Sequence, residues 1–233
     1  MKTEHAEAKQ RLFDAAVSLF AREGYAAVGV REIAKTAGVN ISSVSYYYGG
    51  KAGLLLAIID ETYSRYGRML AEAGDDSTPA EEHVRRMVRG IVRFFRENTE
   101  LGLVAFDSFP PVDDANTIAL RVKWAEEIGA RLAGFFGKLG LDTSDPVQMG
   151  VVRRSLPMSV KAFFEGIFAL EQSGARDRLG PLPSLDDAFF EHYAEHLAEL
   201  FLYGVTGMTR MSRERKSKRS SRGSKPRGRA KPR

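Results

Sequence analysis

Around two inward-facing valines, Val39 and Val44, the chain places Asn40, Ser42, Ser43, Ser45, Tyr46 and Tyr47. All six carry short or aromatic hydroxyl or amide groups, and none is charged. Such groups reach base edges or phosphates without the desolvation cost of a buried ion. A cation flanks the run on each side, Arg31 before it and Lys51 after it. Lys51 opens a helix, where free backbone amides and a cation can both hold a phosphate. A second set, His192-Tyr-Ala-Glu195-His196, matches the H-x-x-E-H metallopeptidase pattern, with two histidines and a basic glutamate on one helical face. That reading fails on context. The apolar stripe of this helix lies elsewhere, so the histidines face water, and no third ligand stands out. His5 and His83 are isolated and read as solvated surface histidines. No phosphate-binding glycine loop, Gly-x-Ser-x-Gly or carboxylate in an apolar setting appears. The chain has 0 cysteines, which excludes thiolate metal sites and a thiol nucleophile. The expectation is a binding protein without catalytic residues, metal or cofactor.

The polar run needs two short helices to present it. The pattern predicts one over 30–37 and a second over 41–48. Ile33 and Ala34 face inward on the first, and small Ala34 lets the helices cross closely. Gly38 turns the chain, Val39 plugs the corner and Val44 faces inward on the second. Two short helices joined by a glycine turn form the motif that lays its second helix in the major groove. Ahead of them, Leu12, Phe13, Ala16, Val17 and Phe20 share one stripe of a helix over 6–21, ended by Gly24. Behind them, an apolar helix is expected over 51–73.

The remainder also reads as helical. Thr78-Pro79-Ala80-Glu81 has the form of a capping box and opens a helix ending near 97. Further helices are expected over 114–139, from Ser144-Asp145-Pro146 to 172, and over 185–205. Pro157 predicts a kink or break in the second of these. No alternating strand pattern and no apolar run near the ~18 residues of a membrane span is present. The polar N-terminus is not a signal peptide. Together with the missing cysteines, this suits a cytoplasmic protein. The formal charge is +5 over 233 residues, but residues 212–233 hold eleven of the 35 Lys and Arg and only one of the 30 acids. The body is therefore mildly acidic, and the basic character belongs to a tail expected to be disordered. Driven by that tail alone, a non-specific DNA-coating protein is the rival reading.

The segments Leu-Phe-Ala-Arg-Glu-Gly-Tyr, Val-Arg-Glu-Ile-Ala-Lys-Thr-Ala-Gly-Val and Tyr-Tyr-Tyr-Gly-Gly-Lys-Ala-Gly-Leu-Leu resemble the TetR family of transcriptional regulators over about residues 8–57. The resemblance implies an all-α chain: a three-helix helix-turn-helix DNA-binding domain (1–50), a helical effector-binding and dimerisation domain (51–211) and the basic tail (212–233). It implies an effector-responsive repressor that binds a pseudo-palindromic operator as a homodimer. DNA contacts would come from Arg31, Asn40, Ser42, Ser43, Ser45, Tyr46, Tyr47 and Lys51. Two positions depart from the family pattern. Gly29 stands where Ser or Thr is frequent, and Tyr48 stands where Phe is usual. Among the aromatic residues of the body, Phe106, Trp124 and Phe164 are the candidates to line a pocket for an unknown small-molecule effector. The dimer contact is expected from Phe163, Gly166, Phe190, Tyr193, Leu197, Leu200 and Phe201.

Overall fold

The computed structural model describes residues 2–75, 77–106, 115–175 and 183–223. Among these, every regular element is a helix: α1 (Lys2–Glu23), α2 (Val30–Thr36), α3 (Ser42–Tyr48), α4 (Lys51–Glu72), α5 (Ala80–Glu97), α6 (Thr99–Phe106), α7 (Ala115–Lys138), α8 (Pro146–Ser173) and α9 (Asp187–Gly223). Two apolar cores organise them. The first joins Leu12, Ala16, Val17 and Phe20 of α1 to Ile33, Ala34 and Val44 of α2 and α3, and to Leu54, Leu55, Ile58 and Ile59 of α4. The second contains Tyr66 and Leu70 of the same α4 and most of the buried residues of α5, α7, α8 and α9. Helix α4 is common to both.

Helix α5 is the centre of the larger core and packs on α4, α6, α8 and α9. Its buried residues, from Val84 to Phe95, form one broad face. The fully enclosed Phe95 ring meets Phe106 at 5.4 Å and Phe164 at 6.1 Å between centroids. Small Ala194 and Ala198 of α9 are buried in this core as well. Arginines on the remaining face of α5 meet the acids of α9 in antiparallel register. Arg85 pairs with Glu199 at one end, and Arg96 with Asp187 at 2.6 Å at the other.

Two polar contacts attach the first core to the rest. The Trp124 indole N–H and the Lys123 ammonium both donate to Asp60 Oδ1 on α4, each at 2.9 Å. Glu100 on α6 accepts from Ser18 Oγ at 3.2 Å and lies 3.8 Å from Arg22, both on α1.

Four expectations change. Helix α6 was not foreseen. It lies between α1, α4 and α8, and from Leu101 to Phe106 it carries no polar side chain to set a period. Thr78 does not cap α5. Its hydroxyl accepts from the Asp75 amide at 3.2 Å, and Pro79 is the residue before the helix. Helix α8 continues through Pro157 instead of breaking there; the proline is buried, as are Leu156 and Val160, and packing offsets the cost of the missing hydrogen bond. The tail does not begin at 212 as a break in the backbone, because α9 continues to Gly223. Arg, Lys and Glu have good helix propensity and prolong the preceding turns. Residues 224–233 lie outside the described residues.

Replacing Phe95 by Ala should destabilise the chain by about 3–5 kcal/mol in urea unfolding, from lost burial and the cavity left behind. Arg89→Gln, on the exposed face of the same helix, should stay within about 0.5 kcal/mol of wild type.

Candidate nucleic-acid interface

The α2–α3 turn is built as the spacing requires. Gly38 adopts φ +64°, a conformation a Cβ would disfavour, and the Val39 amide donates to Ala34 O at 3.0 Å. Val44 is fully buried. This single anchor turns the opposite face of α3 outward: Ser42, Ser45 and Tyr46 are exposed, and Tyr46 keeps 75% of its surface. Ser43 and Tyr47 are half-buried. Asn40 starts the helix, its Oδ1 accepting from both the Ser42 amide and the Ser42 hydroxyl at 2.9 Å. That leaves the Asn40 amide N–H group and the Ser42 oxygen as the outward hydrogen-bonding groups of this corner.

Arg31 is exposed in the first turn of α2. Gly29 precedes α2 without a side-chain cap, and its carbonyl accepts from the amides of Glu32 and Ile33 at 3.1 Å. Lys51, in the first turn of α4, holds its ammonium 4.3 Å from the centre of the Tyr25 ring. The ring positions the cation beside α3 without neutralising it. Burial pushes the Tyr25 phenol up from its ordinary value. The eight expected contact residues thus lie on α2, α3, the turn between them and the start of α4.

Tyr48 resolves its departure from the usual Phe through a specific partner. Its hydroxyl donates to the Lys9 carbonyl of α1 at 2.9 Å. Burial, and secondarily the negative charge of Asp14, raise its pKa to about 12.

Two residues of this region carry no signal in a linear reading. His5 is not isolated: its Nδ1 lies 2.8 Å from the Tyr47 hydroxyl, forty-two positions away. Gly53 sits in the first turn of α4, where an added Cβ would stand 1.7 Å from the Tyr48 carbonyl oxygen. The one available hint was glycine inside a helical pattern, which costs ~1 kcal/mol against alanine unless packing requires it.

The expected pocket residues are joined through aromatic ring contacts. Tyr63 lies 6.0 Å from Trp124 and 5.1 Å from Phe106. Phe106 meets Phe95, and Phe95 meets Phe164. The three candidates therefore lie on one continuous chain of ring contacts. The expected dimer residues divide. Phe190 is turned into the protomer's own core, stacked on Phe164 at 5.6 Å, so the helical period assigned it to the wrong surface. Phe163 and Tyr193 stack on each other at 4.4 Å, and Phe201 packs toward Phe136. Leu197 is half-buried, while Gly166 and Leu200 are exposed. Further open apolar side chains on the same helices are Val147, Val151 and Met158 of α8 and Tyr203 and Met211 of α9. His192, Glu195 and His196 are exposed. Glu195 and His196 line a shallow cleft of about 280 Å³ with Arg85, Arg89 and Glu199. Among the described residues, no three His, Asp or Glu side chains converge as metal ligands.

Two short helices packed through Ile33, Ala34 and Val44, the second with an uncharged outer face, resting on an α-helical body, form the architecture of helix-turn-helix DNA-binding proteins. Residues 12–58 match the family model for bacterial regulatory proteins of the tetR family. A probable HTH-type transcriptional regulator of Bacillus subtilis, YttP, is 33% identical over 95 residues, covering 40% of this chain and 46% of its own length. The chain thus spans about half of that relative. An HTH-type transcriptional regulator of Mycobacterium bovis, Mb3439c, is 31% identical over 134 residues, covering 57% of this chain and 69% of the relative. Two solved structures share the fold. A tetR-family regulatory protein from Rhodococcus superimposes with a TM-score of 0.63 at 18% identity, covering 85% of this chain and 96% of that one. FadR from Bacillus subtilis, in complex with stearoyl-CoA, gives 0.60 at 17% identity over 84% and 98%. The chain belongs to the TetR family of transcriptional regulators. No described helix is long and apolar enough to cross a membrane.

Gly53→Ala should destabilise the chain by about 1–3 kcal/mol through overpacking, despite alanine's better helix propensity. Thermal unfolding followed by circular dichroism measures this. Tyr48→Phe should cost about 1 kcal/mol. The raised Tyr48 pKa means that its stabilising contribution is complete below pH 10.0 and is lost as pH rises through about 12. Tyr48→Phe should therefore flatten the stability profile across that alkaline window.

Proposed function

We propose that this regulator is a dimeric, effector-responsive repressor whose α3 helices enter successive major grooves of a pseudo-palindromic operator. The observation that carries the reading is the division of α3: Val44 is sealed in the core, while Ser42, Ser45 and Tyr46 stand free. In this reading Asn40, Ser42, Ser45 and Tyr46 face base edges. Arg31, Ser43, Tyr47 and Lys51 hold phosphates on either side and set the register.

Dimerisation is assigned to the outer faces of α8 and α9. Gly166 offers room for close approach, and Val147, Val151, Leu200 and Tyr203 supply apolar surface. Two-fold symmetry would place the recognition helices one DNA turn apart, about 34–36 Å. The effector is assigned to the aromatic region around Phe106, Trp124 and Phe164, next to the Asp60 contacts that join α7 to α4. An apolar ligand there would displace ring contacts and move α4 with its attached α3. FadR, which shares the fold, holds stearoyl-CoA; acyl-CoA thioesters are accordingly a reasonable first class to screen.

Selection from random duplex DNA should enrich a pseudo-palindrome; no enrichment would overturn the reading. Arg31→Ala and Tyr47→Ala should each weaken binding to the enriched duplex by roughly 10- to 100-fold. A chain ending at Met211 should retain specificity with a shallower salt dependence. If that truncation abolishes binding while Tyr47→Ala is tolerated, the tail-driven, non-specific reading replaces this one. Val151→Glu with Leu200→Glu should shift the protein from dimer to monomer in sedimentation and weaken operator binding with it.

A further inference from the structure

His5 stands in the second turn of α1, exposed, with one ring nitrogen committed to α3. Nδ1 lies 2.8 Å from Tyr47 Oη, and the two rings meet edge to face at 6.2 Å and 69°. Tyr47 is braced on its other side by Tyr46, at 4.9 Å and 79°. When the tyrosine O–H donates to Nδ1, the proton of the neutral imidazole resides on Nε2. That nitrogen makes no hydrogen bond among the described residues. The ring is thus held to the recognition helix by one nitrogen and offers the other as a donor.

We propose that His5 and Tyr47 form a joint binding site for a DNA phosphate, in which the imidazole takes up a proton as DNA binds. The proposal rests on the reading of α3 as the DNA-contacting helix. Protonation changes both ends of the pair. Nδ1 becomes a donor to the Tyr47 oxygen, which frees the tyrosine O–H for a second phosphate oxygen or a base acceptor. Nε2–H becomes a charge-assisted donor. Helix α3 carries no Asp, Glu, Lys, Arg or His between Ser42 and Tyr48, so it meets His5 with the uncharged phenol of Tyr47. The charged residues near it in the α1 sequence are Glu4 and Lys9, the latter with its ammonium 5.6 Å from the Tyr48 ring centre. A phosphate held by the pair would bring the negative charge that favours the imidazolium. Histidine is the side chain whose charge changes in the neutral range, so binding tightens as pH falls.

The test uses the full chain, the duplex that it enriches from a random pool, and an unrelated duplex of equal length. Affinity and its salt dependence are measured near pH 6 and near pH 8. Wild type should bind the enriched duplex up to about tenfold more tightly at the lower pH, as expected for uptake of one proton. Its salt slope should be steeper there by about one unit. His5→Gln should remove both differences. His5→Arg, permanently charged, should bind at the higher pH as tightly as wild type does at the lower. His5→Ala should weaken binding several-fold at both, with unchanged helix content because the side chain is exposed. If His5→Gln keeps the wild-type pH and salt dependence, or wild type shows none, the proposal is overturned while α3 remains the DNA-contacting helix. If wild type does not distinguish the two duplexes, the DNA reading itself fails and this one with it.

Discussion

The 22 residues of α4 bury Leu54, Leu55, Ile58 and Ile59 in one core and Tyr66 and Leu70 in another. Each core thus takes part of its apolar interior from one helix. An α-helix transmits displacement along its axis because its own hydrogen bonds resist bending. The small three-helix unit therefore cannot drift independently of the body, and the α3 surface has a defined relation to the larger aromatic core. The start of α4 is equally constrained. Gly53 lies so close to the Tyr48 carbonyl that α3 and α4 form a fixed corner, and Lys51 rests on Tyr25 beside it.

The outer surface of α3 is chemically quiet, and that is informative. The chain's cationic excess lies in 212–233, while the rest carries 24 bases against 29 acids. Affinity for a polyanion cannot come from the overall field of such a body. Hydroxyl and amide groups held at fixed spacing must contribute, supported by a few placed cations. The buried valine, the Asn40 bonds to Ser42 and the Tyr48 hydroxyl on Lys9 supply that fixity.

Much of this was legible in the sequence because it rests on local spacing. Ile33, Ala34, Gly38, Val39 and Val44 lie within twelve consecutive residues, and their types admit few other packings. The asparagine before α3 and the aspartate before α8 act through bonds two or three residues away. What escaped depends on contacts between distant segments. His5 gains its partner from α3. Helix α6 has no polar face because other helices cover it. Phe190 and Leu200 share one helix and one apolar character, yet the first closes against Phe164 and the second keeps 70% of its surface. Helical period places residues around an axis; it does not say which neighbour occupies each side.

The polar attachments of the small unit have a mechanical consequence. Glu100 grips α1 through Ser18 and Arg22, and Asp60 of α4 is gripped by Trp124 and Lys123. Both carboxylates sit where a helix of the small unit meets a helix of the body, so moving the recognition helix against the body costs these charge-assisted bonds as well as apolar contact. Unlike apolar contact, such bonds weaken with added salt, so the stiffness of this junction should soften as ionic strength rises.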